Sequence, residues 1–424
     1  MKKYVAILLA LVTAVSLAAC GGKPEEKPTD AVEDTTELPE DPNKVAMAPL
    51  TAPIYTFDHE PTPEELRATV VKAMQDELSL QWYTPENFQY NKTGAASGKD
   101  YVFTAGQHYA GLPYCNAQRS IFGMLEYVDA NGKLDVDKVR EDSGMGTLGA
   151  AVNYTIGNTC AGSTSWALFS CCNSIDGPCI AYNQCVSHGY YPVGNYTYDF
   201  TIDTFQNYPT PRICSENGTD VMYDSYSKAL PGDLMIITPD GDGEHSTMVI
   251  ENHVVMAGDK VNPTESYIIV QDQNTGFYED KNENGRVLQY VGRTGINAWK
   301  KSYEEWFKAS YIPVTVKELT GEKAYEKATV ECSGLTTSAD LKSAKLTSNY
   351  PMAVVKLMAP VNGKLTDVYH QIMSREDIKT KTAMNLKLSK LTLALNKAGV
   401  EDGAACKILV TVSTGEEFTF EFNK

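Results

Sequence analysis

Positive charge and histidine are both scarce in this chain of 424 residues. Lysine and arginine together number 37 against 54 acids, for a formal net charge of −17, and there are six histidines. Phosphate contacts draw on lysine and arginine, so the charge balance excludes nucleic acid as a partner. Beyond the first twenty residues no apolar run reaches the roughly 18 residues that a membrane span needs. No period of about 20 to 50 residues repeats, which excludes a solenoid. Paired C-x-x-C spacing is missing as well. Cys171, Cys172, Cys179, Cys185 and His188 crowd together, but not at the intervals that structural zinc sites favour, so no metal is implied. Asp280-Lys281-Asn282-Glu283-Asn284-Gly285 imitates the opening of a calcium loop. Val291 stands where a bidentate glutamate is required, so the segment reads as a hairpin turn.

What is present is uneven. Lys2 and Lys3 precede an almost wholly apolar stretch from Val5 to Ala19, a targeting segment. It closes on Leu17-Ala18-Ala19-Cys20-Gly21, which resembles a bacterial lipoprotein signal. That resemblance implies cleavage before Cys20, lipidation of Cys20, and an extracytoplasmic protein anchored to the cell membrane. Residues 21 to 42 then hold eight acids against Lys23 and Lys27, with Pro24, Pro28, Pro39 and Pro42. This composition is a solvated tether, expected over 20–58.

Ten cysteines are ordinary for an exported protein. Removing Cys20 leaves nine, so one at least has no partner within the chain. Setting Cys160 aside leaves eight, a parity that fits one free thiol and up to four bridges.

Thr62-Pro63-Glu64-Glu65-Leu66 starts a helix, with Leu66, Val70, Ala73, Met74 and Leu78 as its packing stripe. Val128 to Leu134 reads as a hairpin turn, and Asp240-Gly241-Asp242-Gly243 as another turn. A second helix is expected from Asn158 to about Cys172. Residues 173 to 229 read as loop-rich. Short apolar runs at 234–237, 246–250, 254–256, 267–270 and 287–291 form a strand meander, followed by a helix near Tyr303 and a strand near Ile312. From about residue 323 a further domain begins. Strands are expected at 353–358, 386–395, 408–412 and 418–422, the last two joined by a hairpin at Ser413-Thr414-Gly415-Glu416. These read as a small β-sandwich over 323–424, with Cys332 and Cys406 as candidates for a staple.

The chemistry centres on Cys160, in Asn158-Thr159-Cys160-Ala161-Gly162-Ser163, where a small-residue turn opens into a helix. A thiol at a helix N-terminus meets free backbone N–H groups and the positive end of the dipole, which favour the thiolate. His245, 85 residues on, opens a strand and is placed to take and return a proton. His253 is its nearest rival, expected past the strand end. His59, His108, His188 and His370 show no partner pattern.

Four features together resemble the papain-like cell-wall cysteine peptidases and amidases of the NlpC and CHAP types. Tyr109-Ala110-Gly111-Leu112-Pro113-Tyr114 looks like their glycine/tyrosine segment. Thr159-Cys160-Ala161-Gly162 stands where the family reads Asp-Cys-Ser-Gly. Leu230-Pro231-Gly232-Asp233-Leu234 resembles its Pro-Gly-Asp turn, and His245 begins the following strand. The resemblance covers about residues 100 to 315. Thr159 and Ala161 depart from the pattern, and 46 residues separate Tyr114 from Cys160.

The resemblance implies an α+β fold: a papain-like domain over 59–320 with an antiparallel sheet and N-terminal helices. It also implies a hydrolase acting on peptidoglycan stem peptides beside D-glutamate, with a sugar–peptide amidase cut second, and no cofactor. The acid orienting His245 is expected on the strand Tyr267 to Asn274. Asp272 is the first choice there, with Gln271 and Gln273 left open. Tyr114 is a candidate for the oxyanion hole, and Asn274 for substrate contact. The alternative is a surface lipoprotein that uses the same fold to bind wall or partner. The intact Cys160/His245 pair favours the enzyme.

Overall fold

The computed structural model describes residues 49–89, 102–143, 155–176, 179–198, 205, 207–240, 243–281, 285–295, 297–373 and 388–424. The targeting segment, most of the tether and Cys20 lie outside them.

Thr62 opens helix α1 (Pro63–Ser79) through a capping box with Glu65, and Pro63 occupies the first turn, where a missing N–H costs nothing. The expected stripe of Leu66, Val70, Ala73, Met74 and Leu78 is buried. Strands β1 (Gln81–Tyr83) and β2 (His108–Ala110) follow, then helix α2 (Cys160–Leu168) and strand β3 (Tyr191–Pro192). Helix α3 (Thr210–Lys228) crosses the region read as loop-rich; Gly218, at φ 74°, kinks it and hides its period.

Next come β4 (Leu234–Ile237), β5 (His245–His253), β6 (Tyr267–Lys281), β7 (Val287–Arg293), β8 (Trp299–Ser302) and β9 (Ile312–Thr315). They build one sheet in the order β1-β2-β7-β6-β5-β4-β9-β3, with β8 on β6. The meander β4-β5-β6-β7 is antiparallel throughout. The sheet as a whole is mixed, because β7 and β2 run parallel. The architecture is α+β, with α1 and α2 packed on the meander.

The segment just before α1 is not tether. Leu50 N–H donates to Ala130, Tyr55 N–H donates to Thr414, and the Tyr55 side chain is buried. The tether expected to reach residue 58 therefore gives way to packed chain by Leu50.

The C-terminal region begins with the pair β10 (Val330–Ser333) and β11 (Lys345–Ser348). Strands β12 (Met352–Val361), β13 (Lys364–Ile372), β14 (Ala405–Val412) and β15 (Glu417–Asn423) form an antiparallel sheet in the order β13-β12-β14-β15. The hairpin at residues 413–416 stands as expected. Of the run read as a strand over 386–395, the described part is instead helix α4 (Leu388–Lys397), and residues 386–387 lie outside the described residues. Leu391 and Leu395, one turn apart, are buried while Leu393 is 65 % exposed, a helical and not an alternating pattern. Among its described residues the C-terminal region is therefore a four-stranded sheet whose core is completed by α4 and the β10–β11 pair, and not a β-sandwich.

The expected Cys332–Cys406 staple is absent. Both are free thiols, and they lie on different sheets. No helix among the described residues is long and apolar enough to cross a membrane.

Candidate active site

Cys160 is the first residue of α2. Thr159 caps the helix, its hydroxyl accepting the Gly162 N–H at 3.1 Å, so the sulfur is fixed where the helix presents its unpaired N–H groups. The sulfur is a free thiol and the residue is only 4 % exposed. His245 opens β5, whose early residues pack on α2: Thr164 and Ser246 hydroxyls meet at 3.0 Å. His245 Nε2–H donates to Asp272 Oδ2 at 2.5 Å, which leaves Nδ1 for the sulfur.

Burial, the largest single influence, opposes ionisation of Cys160. The charge and hydrogen bond of His245, the Ser246 N–H and the Tyr114 hydroxyl outweigh it, and hold the thiol below its ordinary value. Burial likewise works against charge on His245. The negative charge of the Cys160 sulfur and the hydrogen bond to Asp272 overcome it and raise the imidazole. The opposite charges and hydrogen bonds of the two groups therefore favour a thiolate–imidazolium pair.

Asp272 is fully buried on β6, across from Arg293 on β7. Its Oδ2 also accepts from Arg293 Nη1 at 2.9 Å, and its Oδ1 from Asn274 Nδ2 at 3.1 Å. Of the three residues left open as orienter, Asp272 is the one bonded to His245. Gln271 turns to the Val71 carbonyl and Gln273 to that of Leu112, on the opposite strand face. Asn274 lies behind the acid and braces it, a different place from the substrate contact expected of it. Tyr114 does face the nucleophile, its hydroxyl 3.7 Å from the sulfur. His253 is the last residue of β5, inside the strand and at the far end from His245, stacked on Tyr267.

The sulfur opens on a cleft of about 370 Å³ lined by Tyr114, Asn116, Gln118, Cys179, Ile180 and Glu244, among others. A larger cavity of about 780 Å³ surrounds Arg67 and Asp233 at the Leu234 end of β4, whereas His245 pairs with Ile237 at the other end. Arg67 and Asp233 are bonded to each other at 2.8 Å, and no thiol or histidine is among the described residues lining that cavity, whereas Cys160 lines the smaller cleft.

Sequence reading missed Arg293, which carries a charge onto the orienting acid, and Glu77 and Asn158 behind the helix start. Arg293 sits two residues past the apolar run of 287–291, a position that reads as a strand end. Glu77 lay on the helix expected to have a packing role alone. Among the described residues no cluster of three or more histidine, cysteine or acidic side chains is arranged to hold a metal ion. No protein-family model, curated protein or solved structure matches this chain.

Proposed function

We propose that this protein is a cysteine hydrolase that cleaves amide bonds. The observation that carries the reading is the convergence of Cys160, His245 and Asp272 from a helix N-terminus and two neighbouring strands, with the sulfur free and at a cleft. The Cys160 thiolate adds to the amide carbonyl. The developing oxyanion takes hydrogen bonds from the Cys160 N–H and the Tyr114 hydroxyl. The imidazolium gives its Nδ1 proton to the leaving nitrogen as the C–N bond breaks, leaving a thioester. Neutral His245 then takes a proton from water as the water's oxygen attacks. Collapse releases the carboxylic acid and restores the thiolate. Asp272 holds the ring and its tautomer throughout.

The substrate we propose is a peptide bond of peptidoglycan stem peptides, from the motif resemblance around Tyr114, Cys160, Asp233 and His245. The order of residues in the papain-like cell-wall enzymes agrees with it. A lipid anchor at Cys20 would hold the enzyme at the bacterial cell membrane, facing the wall.

The test is mass spectrometry of fragments released from purified peptidoglycan by wild-type protein and by Cys160→Ala. New amines from the wild type alone are expected. Equal release by both proteins removes the mechanism. No release by either, with retention of wall fragments on the protein, gives the binding module instead.

A further inference from the structure

Glu77, in the last turn of α1, is a buried carboxylate with no part in the steps above. It is 3 % exposed and faces the start of α2. Its two oxygens accept from Asn158 Nδ2 at 3.1 and 3.2 Å, and one also accepts the Ser163 hydroxyl. Among the described residues no cation pairs with it. Burial pushes its carboxyl up to about 7, against the pull of Ser163 and Asn158. A buried carboxylate of this kind is costly, so its placement calls for a physical return.

Asn158 shows where that return lies. It is fully buried and joins the two segments that meet at the sulfur. Its N–H donates to Pro113 at 2.9 Å and its carbonyl accepts from Cys115 at 2.8 Å, so it runs beside Tyr114. Its side-chain Oδ1 accepts the Thr159 N–H at 2.9 Å. A Cβ at position 162 would stand 1.9 Å from that oxygen, which explains the glycine there. The amide must present oxygen to the helix start and N–H to the other side. In its ionised form Glu77 only accepts and enforces that orientation, since a flipped amide would set acceptor against acceptor.

We propose that Glu77 is a positioning residue for the cysteine chemistry, acting through Asn158 to fix the turn that sets Cys160 against Tyr114. This role rests on the hydrolase reading for its effect on turnover, but the geometry of the thiol reports it independently. Loss of Glu77 frees the Asn158 amide to rotate and slackens the turn. The sulfur then loses part of its contact with His245, Tyr114 and the Ser246 N–H.

The experiment compares wild type, Glu77→Gln, Asn158→Asp and the double variant E77Q/N158D. Two quantities are read on each: hydrolysis of peptidoglycan, and the pH midpoint of Cys160 alkylation by iodoacetamide. E77Q is expected to lower kcat about 10- to 100-fold with KM within about threefold, and to raise the alkylation midpoint. N158D sets two carboxylates face to face and is expected to fall similarly. The double variant restores a donor–acceptor pair and is expected to recover most of the lost kcat. A change in thermal stability alone, with kcat and midpoint unmoved in E77Q, overturns the proposal. So does a lowered midpoint, the sign of a charge acting without positioning. Should E77Q alone fail to fold, the comparison of N158D with the double variant decides: recovery supports the role and no recovery overturns it. A wild type that releases no amine, together with a raised midpoint in E77Q, defeats the hydrolase reading while leaving this role standing.

Discussion

Arg293 and His245 address the same oxygen of Asp272, at 2.9 and 2.5 Å. The guanidinium also lies over the Trp299 ring, 4.8 Å from its centroid, so its approach to the acid is fixed by stacking as well as by charge. A buried carboxylate thus has a permanent counter-charge, whatever the protonation of the histidine. Arg293→Met is expected to destabilise the fold by about 1–3 kcal/mol, read by urea denaturation. A change within about 0.5 kcal/mol would show that the acid does not depend on the arginine.

Replacing the acid separates orientation from packing. Asp272→Asn keeps the shape but loses the charge, and kcat is expected to fall roughly 100-fold or more in single-turnover assays. Gln273→Ala removes a bond to the Leu112 carbonyl on the other strand face. It is expected to keep kcat within about threefold and to lower stability by about 1–3 kcal/mol. Reversal of the two effects would assign the orienting role to Gln273.

The thiol is held below its ordinary value chiefly by His245, against burial. Alkylation of Cys160 by iodoacetamide is therefore expected to proceed at mildly acidic pH, where a cysteine of ordinary pKa, about 8.5, reacts slowly. His245→Ala should move the midpoint upward, since burial is then opposed by fewer partners. Equal midpoints for the two proteins, followed by mass spectrometry of the labelled peptide, would remove the ion pair.

A second histidine makes stability depend on pH away from the cleft. His370 on β13 bonds Asp142 at 2.8 Å and lies 3.5 Å from Asp367, and these hydrogen bonds raise its pKa to about 9 against burial. A raised pKa contributes stability that is complete below the unfolded value, about 6.5, and is lost as pH rises through about 9. The loss is expected to be about 1–3 kcal/mol, and His370→Gln should flatten the curve between those limits. Asp142, lowered by His370 although burial opposes it, works at the acid end: its share is present above the unfolded carboxylate range and is lost as pH falls. Denaturant midpoints measured from about pH 2 to 9.5 check both, and a wild-type profile flat at both ends contradicts them.

The parts of this molecule legible in its sequence are those written in local pattern. Thr62 and Glu65 form a capping box, Leu66 to Leu78 a helical stripe, and residues 234–237 a continuous apolar run; each dictates its element from within. The places of Cys160 and His245 were legible for the same reason, since a helix start and a strand start carry short-range signals. What escaped depends on distant partners. Arg293 gains its role only when β7 is laid beside β6 with Asp272 opposite. Glu77 gains its role only when α1 crosses the turn before Cys160, 81 residues from Asn158. Leu391, Leu393 and Leu395 suit a strand by alternation and a helix by spacing, and the surrounding core decides between them. Gly218 breaks the helical period of α3, so that helix was hidden by its own kink.

The far end of α2 is tied to the C-terminal sheet region. Ser413 Oγ donates to the Phe169 carbonyl at 2.7 Å, and Tyr350 OH to that of Cys171 at 3.1 Å. These carbonyls lie just beyond the helix that carries the nucleophile, where no intrahelical donor remains. A fragment that keeps the end of the Cys160 helix anchored in this way must therefore retain both Tyr350 and the last hairpin. Trimming that looks like removal of an accessory module would strip the helix bearing Cys160 of this anchorage.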